Sequence, residues 1–451
     1  MYKRVLALFY TAAFCLASFA APAIPPHLEA LARTLTQKLA AREYASVETY
    51  FDETMSSGLP ADKLGVTWES LIGQAGVFQS IDGTSTQEIQ GYQIVLVTAK
   101  FQKTTLNLKW VFDAKSQVVG FFIVPVQAAA SWTPPAYAKP TSFHEQAIMV
   151  GAKPWQLHGT LTLPNGTGPF PAVVLVAGSG PEDQDESTAT NKPFKDIAWG
   201  LASRKVAVIR YNKRTQEHGK ELQAHMVGFT VNEESVDDAR AAVALLAKQP
   251  EIDARQIFVL GHSMGGTLAP RIAQGDQEVA GLVILAGTTR QLERVVVDQL
   301  KYIAGLQGQI TPEAQKQIDD AERSAREIES STLAADTKLD ILGSPIPGSY
   351  FLDLRNYHPA AVAAQLKIPM LILRGDHDYQ VTAEDMNGWR NALSGKPNVT
   401  WKVYPGLYHL FMASSSPGTG LGTPADYQKP GHVEQAVIED IASWVETPQK
   451  I

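Results

Sequence analysis

Three separated groups of residues in this chain have the side-chain types that nucleophilic acyl transfer needs. The first is Ser263, inside Gly261-His262-Ser263-Met264-Gly265-Gly266. The second is a pair of carboxylates in Gly375-Asp376-His377-Asp378-Tyr379, and the third is His409 in Pro405-Gly406-Leu407-Tyr408-His409-Leu410-Phe411. A serine hydroxyl is a weak nucleophile near neutral pH until an imidazole takes its proton. The imidazole in turn needs an anion to fix its tautomer and stabilise its charged form. Ser263, Asp378 and His409 can divide those roles, in the chain order serine, acid, histidine. Asp376 competes for the place of the acid and would otherwise brace the loop. His262 and His377 lie beside these positions and read as structural. The bland alternative, a turn serine and a surface histidine, leaves the register of three motifs unexplained.

Strands must carry these residues to one edge of a sheet. Ile257-Phe258-Val259-Leu260 has the composition of a buried parallel strand and Thr267 to Ala273 reads as a helix, so Ser263 falls on a sharp strand-to-helix turn. A serine there has strained backbone geometry, and any side chain at Gly261 or Gly265 would collide with the neighbouring strand or helix. Pro270 falls inside that helix and should kink it. Pro369 to Arg374 is a second buried run and delivers Asp376 and Asp378 at its carboxyl end. Trp401 to Tyr404 alternates as a strand just before His409. Ala172 to Ala177, Ala207 to Arg210 and Leu282 to Ala286 read as further strands. Val236, Ala239, Val243 and Leu246, at helical spacing, form a crossover back to the strand of Ser263. Phe143 to Val150 and Leu157 to Leu163 open this region as an antiparallel pair.

From about Phe143 to its end the chain resembles the α/β-hydrolase superfamily, and more narrowly the secreted bacterial serine aminopeptidase-like (S33-type) hydrolases and carboxylesterases. The resemblance rests on the Ser263 motif, on the acid and histidine in register after it, and on Leu175-Val176-Ala177-Gly178-Ser179-Gly180-Pro181 at the end of a strand. It implies an α/β fold: a doubly wound, mostly parallel sheet with a helical cap insertion. It implies an oxyanion hole made by the backbone N–H groups of Ser179 and Met264, and it selects Asp378, three residues after Gly375, as the acid. The chain departs from the family at Ala177, where a histidine commonly precedes the first glycine, which bears on how that loop is pinned. It departs again at Asn212, where the family has Asp. Arg210 and Arg214 read as braces for the core loops, with binding of a substrate carboxylate as the alternative.

The cap insertion is expected from about Arg290 to Tyr357. Leu292, Val296, Leu300 and Ile303 mark one amphipathic helix. Thr311-Pro312 starts a second, with Ala314, Ile318, Ala321, Ala325 and Ile328 on one side. The two stripes either pack on each other or also line a substrate pocket.

The amino-terminal part has a different texture. Residues 1–23 read as a signal peptide: a basic start at Lys3-Arg4, an apolar Val5 to Ala17, and small residues at Ser18 and Ala20 or at Ala21 and Ala23 for cleavage. An uncleaved anchor is the alternative. The single cysteine, Cys15, would leave with the signal, and Phe14 before it argues against a lipoprotein. Residues 24–127 read as a small α+β domain, with Leu28, Leu31, Leu35 and Leu39 on one helical face and β-rich segments at Tyr92 to Phe101, Thr104 to Phe112 and Val118 to Val124. It is similar to the domain of unassigned function that precedes such hydrolases in secreted bacterial proteins. Residues 128–142, rich in Ala and Pro, read as a linker to the hydrolase domain at 143–451.

Composition narrows the partners. A formal charge of −7, with 45% hydrophobic and 19% charged residues, describes an ordinary globular protein. Removal of Lys3 and Arg4, with no acid in residues 1–23, would make the charge −9. No basic patch for nucleic acid is expected, and no stable membrane span once the signal is gone. There is no H-E-x-x-H, phosphate loop or dinucleotide-binding glycine pattern, so no cofactor and no metal is expected. Asp183-Gln184-Asp185-Glu186 lacks the spacing of a calcium loop and reads as a solvated loop near the mouth of the site. These features point to an exported serine hydrolase that cleaves small carboxylic esters through an acyl-enzyme on Ser263. The alternatives are a small-peptide aminopeptidase or acyl-thioesterase with the same triad, and a cell-envelope scaffold without catalysis.

Overall fold

The computed structural model describes residues 26–447, apart from 90–91, 126–131, 307, 342–343, 417 and 419. The expected signal segment, 1–23, lies outside the described residues. The described chain divides between residues 130 and 131 into two compact units.

In the first unit the helix Pro26–Ala40 buries Leu28, Leu35 and Leu39 on one face, as its spacing requires. A second long helix, Ala61–Ala75, adds Leu64 and Trp68. Both share a core with a four-stranded antiparallel sheet of β1 (Phe78–Ile89), β2 (Tyr92–Phe101), β3 (Thr105–Phe112) and β4 (Val118–Pro125), in that order. Trp110 is fully buried and its indole N–H donates to Thr36 Oγ1 at 3.1 Å. The strand β1 is the element that apolar patterning does not reveal. Its polar Gln-Ser-Ile-Asp-Gly-Thr-Ser-Thr-Gln stretch lies at the sheet edge and pairs only with β2.

The second unit is built on an eight-stranded sheet. Its strands are β5 (Phe143–Val150), β6 (Leu157–Pro164), β7 (Phe170–Val176), β8 (Ala207–Tyr211), β9 (Ile252–His262), β10 (Val279–Leu285), β13 (Met370–Gly375) and β14 (Val399–Tyr404). A small hairpin, β11 (Lys338–Ile341) and β12 (Ser344–Pro347), stands apart from it. The order across the sheet is β14-β13-β10-β9-β7-β8-β6-β5. Only β6 runs against the other strands, pairing antiparallel with both β5 and β8. The strands of Ser263, Asp378 and His409 therefore share one direction, and their carboxyl ends meet at one edge.

Alternate strand residues feed opposite faces of this sheet. Val174, Val176, Ile209, Val259 and Ile284 pack with the helices Asp237–Leu246 and Met264–Ala273, while Val173, Leu175, Val208, Leu260 and Val283 pack with Pro193–Ala202 and Gln435–Glu446. Residues 132–142, expected as linker, are instead tied into this unit. Trp132 lies edge-on to Trp199 at 5.0 Å and donates to Asp196 Oδ1, and Tyr137 donates to the Val433 carbonyl. Two tryptophans and a buried carboxylate make a docking site that an Ala/Pro count does not register.

Between β10 and β13 lies the insertion. Its helices Leu292–Gly305 and Pro312–Glu329 are joined by ion pairs Lys301–Glu322 and Arg294–Glu329, and Val295, Leu300, Ile318, Ala325 and Ile328 are buried. The hairpin and a helix Gly348–Arg355 complete it. Arg290 fastens its start, reaching Asp385 Oδ2 at 2.9 Å and Asp298 Oδ2 at 2.7 Å.

Candidate active site

The strand β9 ends at His262 and the helix Met264–Ala273 begins two residues later, leaving Ser263 alone at the turn with φ 53° and ψ −117°. A non-glycine residue there is strained, and the surroundings hold it. Ser263 N–H donates to the Leu285 carbonyl of the adjacent strand at 2.9 Å. A methyl group on Gly261 would lie 2.1 Å from the Gly265 carbonyl oxygen, and one on Gly265 would lie 2.1 Å from that of Val176. Backbone meets backbone at both places, so only glycine fits. The loop after β7 also approaches the serine: a methyl on Gly178 would be 3.2 Å from Ser263 Cβ and 3.7 Å from its Oγ.

Asp378 is fully buried just past the end of β13. Its Oδ1 accepts from the amides of Gln380 and Val381 at 2.8 and 3.0 Å, and its Oδ2 accepts from His409 Nδ1 at 2.7 Å. With its proton on Nδ1, the buried His409 leaves Nε2 as an acceptor. Asp376 is 44% exposed and accepts from Gly406 N–H at 2.6 Å. It thus braces the loop that leads to His409, while Asp378 holds the imidazole. His377 is buried, with Nε2 3.9 Å from Asp376.

Met264 opens its helix, so its N–H has no carbonyl one turn back to bond. Ser179 follows Gly178, and that glycine is held at both its backbone groups. Gly178 N–H donates to Glu186 Oε1 at 2.7 Å, and Gly178 C=O accepts from Lys213 Nζ at 2.7 Å. Lys213 is buried and paired with Glu234 at 3.1 Å, which also accepts from Tyr350 Oη at 2.6 Å. Tyr350 belongs to the insertion, so the loop's anchor chain ends in the cap. These bonds pin the loop where Ala177 stands in place of a histidine.

Glu186 has a second partner. His262 Nδ1 lies 2.9 Å from each of its carboxylate oxygens, and His262 Nε2 lies 3.0 Å from the His409 carbonyl oxygen. Burial alone would lower the His262 pKa, but the Glu186 carboxylate and the His409 carbonyl carry it above its ordinary value. Nearby, burial pushes the Glu182 carboxyl up to about 8, with the Glu186 charge adding to it.

The stretch Asp183-Gln184-Asp185-Glu186, expected as solvated, is the main correction. Asp183, Asp185 and Glu186 are buried, because each has a built partner. Asp183 accepts from Ser187, and Asp185 accepts from Lys192 Nζ and from Arg210 Nε at 2.8 Å each. Arg210 also donates to Thr162 and Glu145, and Arg214 pairs with Asp238, so both arginines brace loops. Charge density in sequence suggested water. The cations further along the chain, Lys192 and Arg210, are the signal for burial.

A cavity of about 20 Å³ adjoins the serine turn, lined by Met264, Thr267, Thr288, Arg290, Gln291, Leu292, Leu354, Tyr357 and Pro359. From the insertion this lining takes Leu292, the first residue of the first helical stripe, and Leu354 and Tyr357 near its end, while Val296, Leu300, Ile303 and the stripe of the second helix do not border it. A larger hollow of about 430 Å³ borders Arg374, Asp376, His377 and the start of the helix Ala383–Ala392.

Comparison with known proteins supplies the family. Residues 189–415 match the family described as "Serine aminopeptidase, S33", and residues 32–121 match a family described as "Protein of unknown function (DUF3887)". The chain is 36% identical to esterase EstD of Thermotoga maritima over 91% of its own length and 93% of that protein's. Among solved structures, Est1E from Butyrivibrio proteoclasticus is 16% identical, with a TM-score of 0.42, over 66% of this chain and 96% of that one. An esterase of Pyrococcus furiosus is 20% identical, with a TM-score of 0.42, over 63% of this chain and 89% of that one. This chain belongs to the serine aminopeptidase S33 family of α/β hydrolases, and it is an enzyme, a serine hydrolase.

Proposed function

We propose that this protein is an exported carboxylesterase in which Ser263 is the nucleophile, His409 the general base and acid, and Asp378 the group that orients His409. The observation that carries this reading is the buried 2.7 Å bond from His409 Nδ1 to Asp378, at the same sheet edge as the strained Ser263 turn. Its neighbour in support is the 36% identity to an esterase along nearly the whole chain.

In this mechanism His409 Nε2 takes the Ser263 proton as Oγ attacks the ester carbonyl. The oxyanion that forms is met by the amides of Ser179 and Met264, and the Asp378 carboxylate stabilises the imidazolium. Collapse of the intermediate expels the alcohol, which receives its proton from His409 Nε2. Water then attacks the acyl-enzyme by the same route, and the acid is released with Ser263 restored.

The test is hydrolysis of p-nitrophenyl esters from acetate to decanoate by the protein and by Ser263→Ala. Turnover that disappears in the variant supports the esterase reading. Labelling of Ser263 by a fluorophosphonate without turnover of any ester would overturn it in favour of peptide or thioester substrates. Export rests on residues 1–23 alone, and amino-terminal sequencing of the protein isolated from its host tests it: a chain still beginning at Met1 would refute cleavage.

A further inference from the structure

We propose that His262, the residue before the nucleophile, is a doubly protonated positioning residue that, with Glu186, fixes the oxyanion loop and the main chain of His409 in one buried network. The assignment of its charge follows from its partners. Nε2 faces a backbone carbonyl, that of His409 at 3.0 Å, and a carbonyl can only accept, so Nε2 carries a proton. Nδ1 faces the Glu186 carboxylate at 2.9 Å. A neutral ring with its proton on Nε2 would set a lone pair against that carboxylate. One further proton is therefore shared by Nδ1 and Glu186, and imidazole is the stronger base of the two. The titratable groups facing the ring are Glu186, Glu182, Asp378 and His409, whose own ring lies 4.7 Å away. The Glu186 carboxylate is the acidic group in direct contact with the ring, at 2.9 Å from Nδ1.

The network joins the two loops that the chemistry needs in register. Glu186 Oε1 accepts from Gly178 N–H at 2.7 Å, one residue before Ser179. His262 reaches the carbonyl of His409 itself, and the two rings lie 4.7 Å apart. A shift of either loop would leave a buried charge without its partner, which is costly, so the network admits one arrangement. His262 touches no reacting atom. It acts through the positions of Gly178 and His409.

The inference rests on Ser263 and His409 serving as nucleophile and base, and two measurements test it separately from that reading. The first needs no substrate. In the full chain with ¹⁵N-labelled histidine at pH 7, both ring nitrogens of His262 should carry protons, identified by the loss of their signals in His262→Phe. A ring nitrogen of His262 without a proton would overturn the proposal whether or not the protein cleaves esters.

The second is kinetic. His262→Phe keeps an aromatic ring beside Phe194 and Phe411, so simple filling of the core predicts unchanged kinetics. Positioning predicts a fall in kcat of about 10- to 100-fold with KM within about threefold of the parent. Glu186→Gln is the conservative variant. Its oxygen can accept from Gly178 and its amide can donate to Nδ1 of a neutral His262, so it should recover most of the kcat that Glu186→Ala loses. Equal loss in the Gln and Ala variants, or a His262→Phe enzyme within about twofold of the parent, would overturn the proposal. Absence of ester turnover in the parent would refute the esterase reading and leave the nitrogen measurement to decide this one.

Discussion

Replacement of Asp378 by Asn should separate the two candidate acids and set a scale for the site. The asparagine keeps an oxygen that can accept from the amides of Gln380 and Val381, which Asp378 binds at 2.8 and 3.0 Å, so the turn should hold its shape. The other end becomes an NH₂ group opposite His409 Nδ1, now 2.7 Å from a carboxylate oxygen. Two donors cannot face each other there. His409 must move its proton to Nε2, and Nε2 is then unable to take the proton of Ser263. The cost of that wrong tautomer in a Ser-His-Asp site is about 10⁴ in kcat, or about 5.4 kcal/mol of transition-state stabilisation.

Asp376 meets a different fate. It is 44% exposed and accepts from Gly406 N–H, and an Asn oxygen can accept that bond equally well. Asp376→Asn should therefore keep kcat within about threefold of the parent. Initial rates with p-nitrophenyl acetate, with thermal unfolding as a control for folding, give both numbers. An Asp378→Asn enzyme with more than about a tenth of the parent kcat, beside an Asp376→Asn enzyme that has lost about three decades, would refute the assignment of the acid.

Other substitutions should report on stability. Glu182 holds its proton up to about pH 8 in the folded chain, because of burial and the nearby Glu186 charge, whereas the unfolded chain releases it near about 4.3. The folded state thus binds more protons between those values, and stability should fall as pH rises through that window. Glu182→Gln should flatten this slope, with a Tm close to the parent's at about pH 4.5 and above it at about pH 9; parallel curves would refute the buried acid. Arg210→Ala strands Asp185, Thr162 and Glu145, and urea unfolding should show a loss of about 3–5 kcal/mol. A methyl at Gly265 meets the Val176 carbonyl oxygen at 2.1 Å, so Gly265→Ala should lose about 3 kcal/mol or more in the same assay.

The elements that apolar patterning marks and those it hides differ in one physical respect. Buried parallel stretches such as residues 172–176 of β7, 257–260 of β9 and 370–373 of β13 bury both faces, so their sequences are continuous apolar runs and can be read directly. The edge strand β1 buries little and its polar sequence carries no period. The site divides in the same way. Ser263, Asp378 and His409 each follow a legible strand at a legible turn. Glu186 and Lys213 sit on loops, and their importance comes from meeting Gly178 in space. Nothing in the local sequence states that meeting. The acidic run around Asp183 reads as a solvated surface because the cations that neutralise it, Lys192 seven residues beyond Asp185 and Arg210 on the next strand, meet it only in the fold.

On the esterase reading, the cavity beside Met264 would set the size of the acyl group. At about 20 Å³ it holds roughly one water-sized group, enough for the methyl of an acetyl ester. Its wall includes Thr267 of the helix that Ser263 starts, and Leu292 and Leu354 from the two ends of the insertion. Acetate should therefore be the best acyl group in the p-nitrophenyl series, with kcat/KM falling as the chain lengthens. Leu292→Ala is the informative change. Leu292 is only partly buried at the first position of its helix, so the variant should fold, and truncation to Ala removes the three carbons of an isopropyl group from the wall. The optimum should then move toward butyrate, with acetate turnover within about threefold of the parent, because the reacting atoms are untouched. If the parent instead prefers octanoate, or if Leu292→Ala leaves the order of the series unchanged, the acyl chain does not enter this cavity and the ends of the cap do not set specificity.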